Sequence, residues 1–386
     1  MNDSNPLPLR EFHARLGAQF AAVNGAEAVA NYGDWLAEHA ALRATAGVLD
    51  LSFRSRLCLT GADRGRFLHG QVTNDVKKLR DGHGCYAALV TAKGKMQSDL
   101  NVYCLPDEML LDFEPGLTQV VTHRLEKYLV ADDVQVVDVT PHYGLLSVQG
   151  PKSESVVRAL TLFTAAPAEP FTFTKIADAT LGEVYLVNQP RLAGSAGLSG
   201  FDLFVPLNSL GAVADKLIAA AKSVGGRAAG WTAFETARIE VGIPRFGADM
   251  DETNIPLECG LEARAISYQK GCYIGQEVIN RIHSIGHVNR ELRGLRLADD
   301  LESLPAKGDK LFHGGKEAGH ITSAVHSPAL NGNIALGYVR REVNAVGTEF
   351  KLRCAGNESR ASIVELPFIA PAPDSSAPAP HSTPSP

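Results

Sequence analysis

The texture of the chain changes once, near Arg290, and that change limits the fold more than any other feature. Before it, strand-like runs alternate with helical periodicities. After it, short strands separated by Gly or Pro turns dominate: Leu295-Arg296-Leu297, Lys310-Leu311-Phe312, His320 to Ser323, Ile334 to Val339 and Phe350-Lys351-Leu352. Even strand spacing with turn signals reads as a small barrel or sandwich. The expected class is therefore α+β in three parts: an N-terminal α+β domain over 1–150, a second α+β domain over 151–290, and a C-terminal small β-barrel over 291–368. From 369 to 386 the chain is Pro, Ser and Ala with almost nothing to bury, which predicts a disordered tail.

Within the first part, Leu9, Phe12, Leu16, Phe20 and Val23 recur at spacings of three and four, which predicts one long helix. A second helix is expected over Trp35 to Thr45, stopping near Gly47. Strands are expected at Val48 to Ser52, Arg56 to Thr60, Tyr86 to Val90, Leu100 to Cys104 and Met109 to Phe113. A helix over Leu117 to Tyr128 follows. The second part repeats the style, with strands at Val184 to Val187 and Asp202 to Val205 and helices over Leu207 to Val224 and Trp231 to Gly242.

A net charge of -6 argues against non-specific nucleic-acid binding, which needs a basic field over phosphates. No stretch reaches the roughly 20 apolar residues that span a bilayer, and Met1 to Arg10 shows no apolar signal region. Six cysteines without paired spacing read as reduced thiols. The expectation is a cytoplasmic monomer with no membrane and no direct nucleic-acid partner.

Lys270-Gly271-Cys272-Tyr273-Ile274-Gly275-Gln276-Glu277 is the segment richest in chemical implication. Ile274, Val278 and Ile282 fall at helical spacing, so a helix is expected to begin near Gly275, with Glu277 in its favoured first turn. Cys272 lies just before it. Unpaired N–H groups and partial positive charge at a helix start stabilise a thiolate, and Lys270 adds charge nearby. Two readings stay open: a reactive or metal-capable thiol, and a buried thiol at a loop–helix junction. One cysteine cannot hold a cluster or a structural zinc unaided. His283, His287, His320 and His326 show no recurrent metal spacing, so no metal site is expected.

The segment Lys270 to Glu277 resembles the signature of the YgfZ family, whose relatives act in iron–sulfur cluster assembly. Arg238 to Pro244, Ile255 to Leu261, Gln71-Val72-Thr73-Asn74-Asp75-Val76 and Gly319 to Pro328 resemble motifs of the wider superfamily that contains the glycine cleavage T-protein. The resemblance runs from about Phe12 to Val364. It implies a three-domain fold around a folate-sized opening and tetrahydrofolate, or a derivative, as ligand. Tyr86 and Asp99 match the tyrosine and aspartate that face the pterin, Arg238 matches an arginine of the folate site, and Lys270 is grouped with them as a ligand-binding candidate. Against this, Asp99 could be a plain strand-end carboxylate, Arg238 a surface helix residue, and Asn74 and Asp75 an Asx turn.

The resemblance also shows departures. Gly197 to Asp202 lacks the T-protein glutamate that grips the pterin edge, Ser98 stands where a second acid precedes Asp99, and Cys272 replaces an acidic or similar residue. They favour a folate-binding accessory protein in iron–sulfur cluster assembly or repair, with Cys272 and Asp99 as its chemical residues and iron–sulfur or radical-type enzymes, including those that modify tRNA, as clients. The alternative is a folate-dependent aminomethyltransferase or related demethylase, in which Asp99 is the key carboxylate.

Overall fold

The computed structural model describes residues 6–192 and 199–369. The first sheet is antiparallel, in the order His83–Val90, Met96–Cys104, Met109–Phe113, Ser55–Thr60 and Gln135–Asp138. Leu57, Leu59, Leu89, Leu100, Val102 and Leu111 pack its core against the helices Arg64–Gln71 and Thr118–Glu126. The second sheet runs Phe173–Asp178, Gly182–Asn188, Gly200–Pro206, Tyr143–Gln149, Gly47–Asp50 and Arg227–Ala228. Helix Leu207–Ser223 covers it. Leu210, Val213, Ala214, Leu217, Ile218 and Ala221 return every third or fourth residue and are buried, the stripe an amphipathic helix presents to a sheet.

The sheets do not follow the expected break at 150. Gly47–Asp50 and Tyr143–Gln149 pair with each other and enter the second sheet, while the strands between them form the first. A fully buried run such as Gly47–Asp50 pairs wherever both its faces are covered, and its sequence position does not say with which sheet.

The expected helix over Leu9 to Val23 is also corrected. Helix Arg10–Arg15 stops before Gly17 (φ 83°), and Gln19–Val23 is a strand paired with Ala26–Asn31. Asn24 and Gly25, both at positive φ (44° and 83°), form its turn. An Asn-Gly pair joins two strands with the twist they need, and that local preference overrides the apolar spacing.

After Arg290 six strands close into a barrel, Arg290–Leu297, Gly332–Arg340, Lys316–Ser327, Lys310–His313, Glu349–Cys354 and Asn357–Val364, around Leu295, Leu311, Ile321, Val339, Leu352 and Ile363. The expected disordered tail, apart from Ile369, and the Gly197-Leu198 part of the shortened stretch lie outside the described residues. Among the described residues no helix is long and apolar enough to cross a membrane.

Candidate active site

The site begins with the register of two strands. Tyr86 sits opposite Asn101, and Asp99 lies two residues from Asn101, so all three side chains share one face. Diagonal neighbours of this kind are within reach of an aromatic side chain. Tyr86 Oη donates to Asp99 Oδ2 at 2.8 Å. The other carboxylate oxygen, Oδ1, is shielded from solvent and has no hydrogen-bond partner. Burial, and then the charge of Glu114, push the Asp99 carboxyl above its ordinary range.

A cavity of about 90 Å³ opens in front of it, lined by Tyr86, Asp99, Trp231, Phe234, Arg238 and Arg264 among others. It is far smaller than the roughly 300–1,000 Å³ pockets that enclose a whole drug-sized ligand, so it admits one end of such a molecule. Two wider hollows exist, about 930 Å³ on the barrel beside Cys354 and about 640 Å³ beside Phe53. Neither is lined by a buried polar atom lacking a partner, whereas the smaller cavity has three such residues, Asp99, Arg238 and Arg245. Unpaired buried polar groups are expensive, which makes the small cavity the chemical one.

Its walls are a chain of buried ion pairs from both sheets. Arg54 Nε donates to Asp112 at 2.8 Å, and Arg191 bridges Asp112 at 2.9 Å and Asp202 at 2.6 Å. Asn101 also donates to Asp112. Burial opposes the charge on Asp112, but Arg54 and Arg191 outweigh it and hold the carboxyl well below the usual range. Glu114 is gripped by Arg54 and by Arg245, the latter at 2.9 Å.

Arg238 belongs to this chain and is not a surface helix residue. It is 2% exposed. Its guanidinium pairs with Asp249 and Glu235 and donates to Ser323 Oγ at 2.9 Å. Asp249 also accepts from Thr322 of the barrel, so Arg238 ties helix Trp231–Glu240 to the C-terminal domain. Only Nε remains without a partner.

The structure brings Tyr86, Asp99 and Arg238 together and leaves Lys270 and Cys272 out of the lining. The Lys270 ammonium, 7% exposed, donates to the backbone carbonyls of His69 and Val72, both at 2.6 Å. Burial lowers it to about 8. The expected outcome for Lys270→Ala is a loss of roughly 1–3 kcal/mol in denaturant unfolding, from the stranded carbonyls, with ligand affinity retained. Lost affinity at an unchanged midpoint would reverse that assignment. Cys272 is exposed, in the loop before helix Gln276–Ile285, whose cap Gly275 takes φ 90°.

Asn74 and Asp75 have distinct tasks. Asn74 Nδ2 donates to the Tyr86 carbonyl at 2.8 Å, and Asp75 pairs with Lys78 at 3.2 Å. His283 stacks on Tyr268, His320 lies over Tyr338, and His326 bonds Asn333. Cys259 is buried 3.1 Å from Tyr338 Oη. Sequence reading missed Arg54, Glu114, Arg191, Arg245 and Arg264. The one available signal was Asp112, a charge inside the apolar strand Met109–Phe113.

Comparison with known proteins identifies the family. Residues 9–270 match the GCVT N-terminal domain and residues 290–369 the glycine cleavage T-protein C-terminal barrel domain. The chain belongs to the glycine cleavage T-protein family. An aminomethyltransferase of Geobacillus kaustophilus is 30% identical over 362 residues, covering 94% of this chain and 97% of its own length. One from Symbiobacterium thermophilum is 31% identical over 377 residues, covering 95% and 98%. The crystal structure of glycine cleavage system aminomethyltransferase T from Bartonella henselae, 24% identical, shares the fold with a TM-score of 0.84 over 95% of this chain and 98% of that one. Both curated relatives carry the name aminomethyltransferase.

Proposed function

We propose that this T-protein family member binds a reduced folate with its ring end in the Asp99 cavity and carries out aminomethyl transfer. The observation that carries the reading is Asp99 Oδ1, a buried acceptor with no protein partner. The residues present fit such a ligand. Asp99 accepts from ring N–H groups, Arg238 Nε offers a donor, and Trp231 and Phe234 supply apolar walls. Bound tetrahydrofolate supplies the nitrogens that accept the one-carbon unit. Tyr86 fixes the carboxylate through Oδ2, and Oδ1 holds or takes a proton at the reacting end. The burial that raises the carboxyl favours its protonated form, which suits a group that holds or takes a proton. Methylene-tetrahydrofolate formation from an aminomethyl-loaded carrier protein tests the reading, and no product with folate-saturated enzyme would remove it.

A second reading keeps the YgfZ-type iron–sulfur role, with folate in the same cavity. It is favoured by one observation: the thiol of the Lys270 to Glu277 segment is solvent-exposed, as a group that meets a partner must be. Cys272→Ser separates the two. Transfer predicts wild-type turnover and full complementation of a deletion strain. The accessory role predicts that Cys272→Ser binds folate normally and fails to restore client iron–sulfur enzymes.

A further inference from the structure

Five arginines line the cavity: Arg54, Arg191, Arg238, Arg245 and Arg264. The first four are committed to carboxylates. Arg264 is different. It is exposed, and among the described residues no carboxylate lies within ion-pairing distance of its guanidinium. An exposed residue that lines a cavity stands at its opening. The nearest acid on its own short helix, Glu262, is already engaged by Tyr268 at 2.7 Å and by His283.

The position of Arg264 is built. Its guanidinium carbon lies 5.1 Å over the Tyr86 ring, a contact that fixes the plane of the cation. Asn74 Nδ2 reaches the Arg264 carbonyl at 3.4 Å as well as that of Tyr86. Thr73 Oγ1 donates to the Ala265 carbonyl at 2.6 Å. One segment, Thr73-Asn74, therefore clamps both the ring that orients Asp99 and the helix that carries the uncompensated cation. A planar guanidinium held in this way presents its remaining N–H donors as a fork suited to a carboxylate.

We propose that Arg264 is a specificity-determining residue, which pairs at the cavity mouth with a carboxylate on the tail of a ligand whose ring end sits at Asp99. The inference rests on the folate reading, because a folate carries its glutamyl carboxylates at the end opposite the pterin. A cavity that admits only one end of such a molecule leaves the tail at the opening. The other cavity arginines cannot substitute, since each is neutralised within the wall.

The test compares two probes, 5-formyl-tetrahydrofolate and a tetrahydropterin without the benzoylglutamate tail, titrated by the fluorescence of Trp231 in the cavity wall. Wild type should prefer the tailed probe. Arg264→Gln should reduce that preference about two- to fivefold, the scale of one solvent-exposed ion pair. Arg264→Lys should restore much of it, and added salt should erode it. An unchanged preference in Arg264→Gln overturns the inference while leaving the folate reading standing. Failure of wild type to bind either probe overturns both. Restoration by lysine separates recognition of charge from mere support of Tyr86, which an ammonium stacks less well.

Discussion

Asp99→Asn should lower the rate of aminomethyl transfer by roughly 10²–10⁴-fold and, in the unliganded protein at neutral pH, raise the unfolding midpoint. Both effects follow from one arrangement. Asp99 Oδ1 is buried without a partner and Oδ2 accepts only Tyr86 Oη. Burial and the neighbouring Glu114 raise its carboxyl in the folded state. The folded protein then binds the proton more tightly than the unfolded chain. The associated stability is fully present below the unfolded carboxylate range and is lost as pH rises through the raised folded value. Asparagine mimics the neutral form at every pH. Its advantage over wild type should be small in acid and grow toward neutral pH, as read by thermal unfolding at several pH values. A variant that is slower and equally or less stable at neutral pH would show that the Asp99 charge is compensated in the fold. A variant that keeps the wild-type rate would remove Asp99 from the reaction. Trading stability for a poised group is common where activity needs an uncompensated charge.

The sequence was legible where local rules decide. The barrel after Arg290, the helix Leu207–Ser223, the strand carrying Tyr86, the Leu100 to Cys104 part of the next strand, and the start of helix Gln276–Ile285 follow from periodicity and turn residues, whereas that strand begins earlier, at Met96, and holds Asp99 in its interior. It was illegible where partners are distant. Lys270 next to a cysteine and glycines reads as part of a ligand site, yet its ammonium is spent on the carbonyls of His69 and Val72, some two hundred positions away. Arg238 matches a folate-site arginine by resemblance, but its own neighbours in sequence leave a surface helix residue equally open. Its acceptors Asp249, Ser323 and Glu235 come from three segments. Arg191 and Arg264 stand in runs without periodicity, and only folding gives them neighbours. The motif Gln71 to Val76 was visible as a motif, but its work, clamping Tyr86 and the Arg264 helix through Thr73 and Asn74, is a statement about carbonyls in other elements.

The largest stability effect is expected at Asp112. Its carboxylate is fully buried and accepts from Arg54, Arg191 and Asn101, while Arg191 reaches on to Asp202 in the second sheet. Asp112→Ala would leave Arg54 only Glu114 and Arg191 only Asp202, with one buried positive charge in excess, a loss of roughly 3–5 kcal/mol when one partner of a buried pair is removed. That is a large share of the roughly 5–15 kcal/mol by which folded proteins outlast their unfolded chains. Because Arg54 and Arg191 hold the Asp112 carboxyl far below its unfolded value, its contribution is present above the ordinary carboxylate range and falls away as pH drops through that range toward the depressed folded value. The gap between wild type and Asp112→Ala should therefore narrow in acid, opposite in sense to the Asp99→Asn series. Pairing Asp112→Ala with Arg54→Met should recover part of the loss, since Glu114 keeps Arg245 and Asp202 keeps Arg191 when both charges are removed. A double variant as unstable as the sum of the two single ones would mean that Arg54 and Asp112 are not coupled, and that Arg54 draws its stability from Glu114 alone.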